Sequence, residues 1–264
     1  MSMPVNILFI GDIVGAPGRQ AVSRELHRLI DRYRIDLVIA NGENAAGGFG
    51  ITEEKARELY SLGIDVLTSG NHVWDKKESY PYIRREERLV RPANYPPETI
   101  GRGSTVVRTA GGISIGILNL EGRVFMNSLD CPFRAADREI VQLKEQANII
   151  FVDFHAEATS EKVALGWYLD GKVSAVVGTH THVQTADERI LPGGTAYMTD
   201  AGMTGSFDSV IGVKKELAVE RFTSQMPVRF EVAKKDIRLN GVVLGIDEMS
   251  GSALSVERIS LTCS

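Results

Sequence analysis

Four of the chain's five histidines, His72, His155, His180 and His182, fall in short stretches that also carry Asp, Glu or Asn. The stretches are Gly11-Asp12, Asn41-Gly42-Glu43-Asn44, Gly70-Asn71-His72-Val73-Trp74-Asp75, Asp153-Phe154-His155 and Gly178-Thr179-His180-Thr181-His182. Imidazole nitrogens with carboxylate and amide oxygens suit borderline and hard divalent ions such as manganese, iron and zinc. No thiolate stands among them, which excludes a structural zinc finger. His180 and His182 are one residue apart, so an extended segment would point both the same way. A tetrahedral ion takes about four ligands. The larger set here predicts two ions sharing a carboxylate, an arrangement that serves in-line displacement at phosphorus by clamping the attacking and leaving oxygens.

Each stretch alone has a plainer reading. Asp12 could cap the helix that follows it, Asn44 and its neighbouring glycines could turn the chain, and a lone His155 could be a satisfied core histidine. Five such stretches together are not explained this way. His27 reads as a surface residue on the polar side of a helix, and Arg84-Arg85-Glu86-Glu87-Arg88 as a solvated charge run. Gly11, Gly15 and Gly18 follow a strand but have G-x-x-x-G-x-x-G spacing with an acid inside, not the dinucleotide fingerprint. No phosphate-binding Gly-Lys-Ser/Thr occurs, and Ser23 and Ser206 lack a nucleophile-elbow context.

Every one of these stretches follows an apolar run. Val5–Ile10 reads as a buried strand. Val22, Leu26, Leu29, Ile30 and Tyr33 then form one apolar helical face. Leu37–Ala40 is a second strand, Thr52 a plausible N-cap for a second helix, and Val66–Ser69 a third strand. This βαβαβ order predicts a parallel sheet with right-handed crossovers. Ser104–Thr109 and Ile113–Asn119 flank Gly111-Gly112 as a hairpin. Arg134–Gln146 and Thr159–Leu169 read as helices, and Ile149–Val152 and Val173–Val177 as strands. Val228–Ala233, Gly241–Ile246 and Ala253–Ile259 read as antiparallel strands. No linker, repeat or low-complexity tract divides the chain, so one α/β domain over residues 1–264 with two sheets is expected. Ligands of such sheets bind beyond the carboxyl ends of the strands, where the five stretches would converge.

The chain has 264 residues, 43% apolar and 24% charged, which excludes a disordered, collagenous or coiled-coil chain. Its formal net charge of −4 argues against a general nucleic-acid binder, so phosphate contact must come from a local site. Cys131 and Cys263 have no partner at metal spacing and point to a reducing compartment. No signal segment and no run near the ~20 apolar residues of a membrane span is visible. A cytoplasmic protein without membrane attachment is the expectation.

With these motifs in view, the sequence resembles the calcineurin-like metallophosphoesterases, whose signature runs Asp-x-His, Gly-Asp, Gly-Asn-His, a lone His and Gly-His-x-His. It departs at Val14, where the family has histidine, and at Glu43, where it has aspartate; Asn44 could supply the ligand that Val14 cannot. These departures, with the strings GDIVGAPGR, ANGENAAGGFG, TSGNHVWD, DFHAE, GTHTHVQTAD and TDAGMTG, are similar to the YmdB-like bacterial phosphodiesterases over nearly the whole chain.

The resemblance implies a four-layer α/β/β/α sandwich of two mixed sheets with a dimetal site at one edge. It implies one metal on Asp12, Glu43, Asn44 and His182, a second on Glu43, Asn71, His155 and His180, and Glu43 as the bridge. The ions would be two divalent transition metals, iron or manganese ahead of zinc. His72 resembles the family's proton donor to the leaving oxygen; Asp75 could orient it, but Val73 and Trp74 intervene and Asp75 is left out. The implied activity is hydrolysis of 2′,3′-cyclic nucleotides, of 3′,5′-cyclic AMP, or of both, by a metal-activated hydroxide. The alternatives are a phosphomonoesterase or protein phosphatase, and a regulatory metal- or RNA-binding protein. Expected partners are a small cyclic-nucleotide or phosphodiester substrate and a second copy in a homo-oligomer, with no stable nucleic-acid complex. A nucleoside needs an apolar wall, for which Trp74 and Phe133 are the candidates.

Overall fold

The structure is a computed structural model that describes residues 4–263. In chain order its elements are β1 (Val5–Ile10), β2 (Asp12–Ile13), α1 (Gly15–Tyr33), β3 (Leu37–Asn41), α2 (Glu53–Ser61), β4 (Val66–Thr68), α3 (Tyr80–Arg85), β5 (Leu89–Val90), β6 (Ser104–Arg108) and β7 (Ser114–Glu121). They continue with α4 (Pro132–Lys144), β8 (Ile149–His155), α5 (Thr159–Leu169), β9 (Ala175–Thr179), β10 (Arg189–Ile190), β11 (Ala196–Met198), β12 (Met203–Ser206), α6 (Lys215–Ser224), β13 (Ile237–Ile246) and β14 (Ala253–Thr262).

The strands form two mixed sheets. The first runs β2-β12-β13-β1-β3-β4-β5 with β14 paired to β13, and the second runs β10-β11-β9-β8-β7-β6. Their centres are parallel: β1, β3 and β4 in one, and β7, β8 and β9 in the other. A strand buried on both faces reads as a continuous apolar run. In β1, Val5, Ile7 and Phe9 pack toward the second sheet, against Ile117, Phe151 and Val177. Leu8 and Ile10 pack the other way, against Val22, Leu26 and Leu29 of α1. On the far side of the second sheet, Ala136, Ile140 and Leu143 of α4 and Leu165 of α5 cover Leu118, Ile150 and Val152. The layers are therefore α/β/β/α, and Phe9 and Phe151, with ring centroids 4.9 Å apart, join the sheets.

Local rules explain several elements. The Thr52 side chain accepts from the Lys55 amide at 3.3 Å and caps α2. The β6–β7 hairpin forms in antiparallel register around Gly111-Gly112. Segment 228–233 is not the strand its composition predicts: only an isolated Val213–Val232 bridge forms there. Arg229, Phe230 and Glu231 are exposed, with no neighbouring strand to pair with, and the last two line a cavity instead. The β13–β14 pair, in contrast, is antiparallel along its length. His27 is exposed on α1, and Arg84, Arg85, Glu87 and Arg88 are exposed as well. Among the described residues no helix is long and apolar enough to cross a membrane.

Candidate metal centre

Both sheets end their parallel strands at one edge. Chain continuity past β1, β3 and β4 supplies Asp12, Glu43, Asn44, Asn71 and His72; β8 ends on His155, and the loop after β9 supplies His180 and His182. Asn41 at the end of β3 donates to Asp153 Oδ2 of β8 at 3.1 Å, so the two strand ends are tied across the sheets. The approach is close enough to demand glycine at position 70, where a Cβ would lie 2.2 Å from His155 Cδ2.

Seven of the eight singled-out residues meet here in two touching groups, with His72 beside them. In the first, His155 Nε2 lies 2.9 Å from Asn71 Oδ1, 3.0 Å from His180 Nδ1 and 3.1 Å from Glu43 Oε1. A ring nitrogen carries at most one proton, so three acceptor atoms around it cannot all be satisfied by hydrogen bonds. In the second, Asn44 Nδ2 lies 3.2 Å from His182 Nε2 and donates to Glu43 Oε1 at 3.2 Å, while His182 Nε2 stands 3.9 Å from Asp12 Oδ1. Glu43 Oε1 is therefore shared by both groups. Asp12 Oδ1 and Asn44 Oδ1 are buried with no hydrogen-bond partner. Orphaned oxygens and converging lone pairs are what a cation satisfies. Glu43, His155 and His180 form a set able to hold an ion.

The outer nitrogen of each imidazole is fixed, which leaves the inner one a lone pair. His155 Nδ1 bonds Thr179 Oγ1 at 2.9 Å, and that hydroxyl donates to Asp153 Oδ1 at 2.7 Å. His182 Nδ1 donates to the Ile211 carbonyl at 2.9 Å. His180 Nε2 lies 3.2 Å from Glu157 Oε2. The segment 180–182 is not extended as its spacing suggests. His180 and His182 have φ of 103° and 65°, in the left-handed region that side chains avoid. Such backbone persists where its surroundings fix it. Here the His180 amide donates to Asp12 Oδ2 at 3.1 Å, and the Thr181 hydroxyl donates to Asp200 Oδ2 at 2.8 Å. Asp12 does not cap α1, whose N-cap is Val14.

Charge is distributed unevenly across the cluster. Burial would raise the Glu43 carboxyl, but His155 and the His72 amide hold it down at about 2. Burial would lower His155, but contact with Glu43 lifts it to about 9. His180 is pushed down to about 3, first by burial and then by repulsion from His155. Burial pushes Asp12 up, against the pull of His182 and His155.

His72 is not part of either group. Its amide donates to Glu43 Oε2 at 3.0 Å, and its side chain lines the adjoining cavity. Its Nδ1 lies 2.8 Å from Asp75 Oδ2. Residues 71–75 form a turn, with the Asp75 amide bonded to the His72 carbonyl at 3.1 Å, so the intervening Val73 and Trp74 bring the two side chains together instead of separating them.

The family model described as YmdB-like protein matches residues 8–259. The chain belongs to the YmdB-like family. It is 52% identical over 97% of its length, and 96% of the relative's, to the 2′,3′-cyclic-nucleotide 2′-phosphodiesterase of Bacillus subtilis (strain 168). Among solved structures it is similar to a hypothetical protein from Thermus thermophilus, with TM-score 0.91 and 44% identity over 98% of this chain and 99% of that one. It is also similar to a novel phosphatase from Mycoplasma pneumoniae, with TM-score 0.93 and 35% identity over 99% and 95%.

In this YmdB-like chain, several residues around the cluster carry no signal that isolates them in the sequence. Asp153 accepts from Thr68 at 2.5 Å and from Thr179, and burial pushes its carboxyl up to about 7. Its position two residues before His155 on one strand face was the available clue. Lys162 of α5 is buried and donates to Asp200 Oδ2 at 2.5 Å and to the Thr179 carbonyl at 2.7 Å, beneath the 178–182 loop. The apolar wall comes from Phe49, Ile211, Val213, Phe230 and Val232. Trp74 packs edge-on against Tyr80 and Tyr95, and Phe133 against Tyr168; neither lines that cavity.

Proposed function

We propose that this chain is a dinuclear-metal phosphodiesterase that opens 2′,3′-cyclic nucleotides at the 2′ ester. The observation that carries the reading is the paired ligand set that shares Glu43 Oε1, beside a cavity of about 350 Å³ into which His72 faces. Asp12, Glu43, Asn44 and His182 would hold one divalent ion, and Glu43, Asn71, His155 and His180 the other. Imidazole, carboxylate and amide donors without thiolate fit iron, manganese or zinc. When bound, such a pair polarises the phosphate and lowers the pKa of water.

The chain's own residues do the rest. Asp75 fixes the His72 ring through Nδ1, and Nε2, which has no protein partner among the described residues, is the atom offered to substrate. In the overall step a water oxygen bonds to phosphorus and its displaced proton passes to solvent, the bond from phosphorus to the 2′ oxygen breaks, and His72 gives that oxygen its proton and recovers one from solvent. The product is a nucleoside 3′-phosphate. The 52% identical relative named for this activity supports the substrate class.

The test is turnover of metal-reconstituted protein on 2′,3′-cyclic AMP, 3′,5′-cyclic AMP and a nucleoside monophosphate. Formation of adenosine 3′-phosphate from the first is expected. Release of inorganic phosphate from the monoester alone would replace this reading by a phosphatase.

A further inference from the structure

We propose that the cavity beside His72 is a nucleobase subsite, in which Phe49 and Phe230 hold the base by stacking and nothing reads its hydrogen-bonding edge. The inference rests on the cyclic-nucleotide reading above and deepens it. The cavity is lined by two kinds of group: the metal-ligand residues and His72, and the apolar side chains of Val14, Phe49, Val213, Phe230 and Val232. A phosphate at the cluster therefore leaves the rest of its ester over an apolar surface. Phe49 and Phe230 are each 39% exposed as residues, and both line the cavity. Phe49 also touches His72, with ring centroids 5.1 Å apart and planes at 64°. A base stacked on Phe49 thus places its ribose next to the group that protonates the 2′ oxygen.

The loop is built to present this ring. Gly48 has φ +99° and is laid against Val232, where a Cβ would meet Cγ2 at 2.8 Å. Only glycine allows both, so Phe49 projects from a backbone pressed onto the cavity wall. The remaining polar side chains of the lining each already have a protein partner. Glu157 contacts His180 at 3.2 Å, Glu231 bonds Lys214 at 2.5 Å, and Thr181 bonds Asp200. Every base has a π face, so stacking on aromatic rings tolerates any base, whereas discrimination needs polar groups aimed at the base edge.

The test compares 2′,3′-cyclic AMP, 2′,3′-cyclic CMP and methyl riboside 2′,3′-cyclic phosphate, which has no base, in wild type, Phe49→Ala, Phe49→Trp and Phe230→Ala. Wild type should use the two nucleotides within about tenfold of each other and the base-free ester markedly less well. Each alanine variant should raise KM for the nucleotides by roughly 10- to 100-fold, the range seen when a stacking partner is removed. Its loss on the base-free ester should be at least tenfold smaller, and Phe49→Trp should restore the nucleotide KM. Among the described residues Phe49, and not Phe230, makes a ring contact with His72, so the Phe230 variant separates stacking from disturbance of the acid. Equal use of base-free and base-bearing esters by wild type, or equal losses on both in the variants, overturns the subsite and leaves the phosphodiesterase reading standing. Failure of wild type on all three esters overturns that reading itself.

Discussion

At the scale of single residues, the centre on the proposed reading divides into atoms that would bind metal and atoms that would position. His72 touches neither orphaned oxygen, so His72→Ala should leave metal content near that of wild type. It should lower turnover of a cyclic nucleotide by ~10²–10⁴-fold, the usual contribution of a general acid. A nitrophenyl diester releases nitrophenolate, a stable anion that needs little protonation, and should lose much less. Asp75→Asn should follow the same pattern with a smaller loss, because the ring remains but its orientation is no longer fixed. Equal losses on both esters would make His72 a packing residue. Glu121 makes a separate prediction. Burial pushes its carboxyl up to about 7, with Glu43 adding to the shift, and its Oε1 has no partner. A raised carboxyl stabilises the fold fully below its unfolded value near 4.5, and the stabilisation is lost as pH rises through about 7. In chelator-treated protein, wild type should therefore lose up to about 3 kcal/mol more stability than Glu121→Gln between those limits. Parallel denaturant-melting curves against pH would contradict this. The ligand-type residues were legible in sequence because few side chains bind hard divalent ions. Asp75 was legible as a neighbour of His72 but not as its partner, because an i to i+3 contact forms only where the chain turns, and Phe49 was not legible, because an aromatic in a glycine loop looks like any other.

At the scale of elements, the parallel strands were legible because burial on both faces demands unbroken apolar runs. The two-residue β2 and β10 were not, since strands so short carry no period. Segment 228–233 has the composition of a strand but pairs only through the isolated Val213–Val232 bridge, and pairing is a tertiary fact. Likewise, two histidines at i and i+2 suggested an extended segment, whereas left-handed backbone at both is what aims them inward. That strained loop is underpinned by α5 through Lys162, which is 1% exposed and paired with Asp200. Removing one partner of a buried ion pair costs about 3–5 kcal/mol, because the other charge stays buried. Lys162→Met should therefore lower stability by that order in chemical denaturation and reduce metal retention with it. Unchanged metal content would mean that the loop holds its ligands without α5.

At the scale of the whole molecule, an acidic chain, net −4, must attract an anionic ester. The global field opposes this, so attraction has to be local. Two sheets packed through Phe9 and Phe151 bring five strand ends to one edge, and the cations held there would supply the missing positive charge. Glycine at 70 and the Asn41–Asp153 bond keep the halves of the centre close enough to share one carboxylate oxygen. On the dinuclear reading proposed above, both halves must be filled for phosphodiester hydrolysis. The most direct measurement strips the protein with chelator and refills it stepwise with manganese, then records bound metal and 2′,3′-cyclic AMP turnover on the same samples. Activity should climb to a plateau at two ions per chain, with adenosine 3′-phosphate as product. A plateau at one ion per chain, or fully loaded protein that leaves 2′,3′-cyclic AMP intact, would contradict that reading.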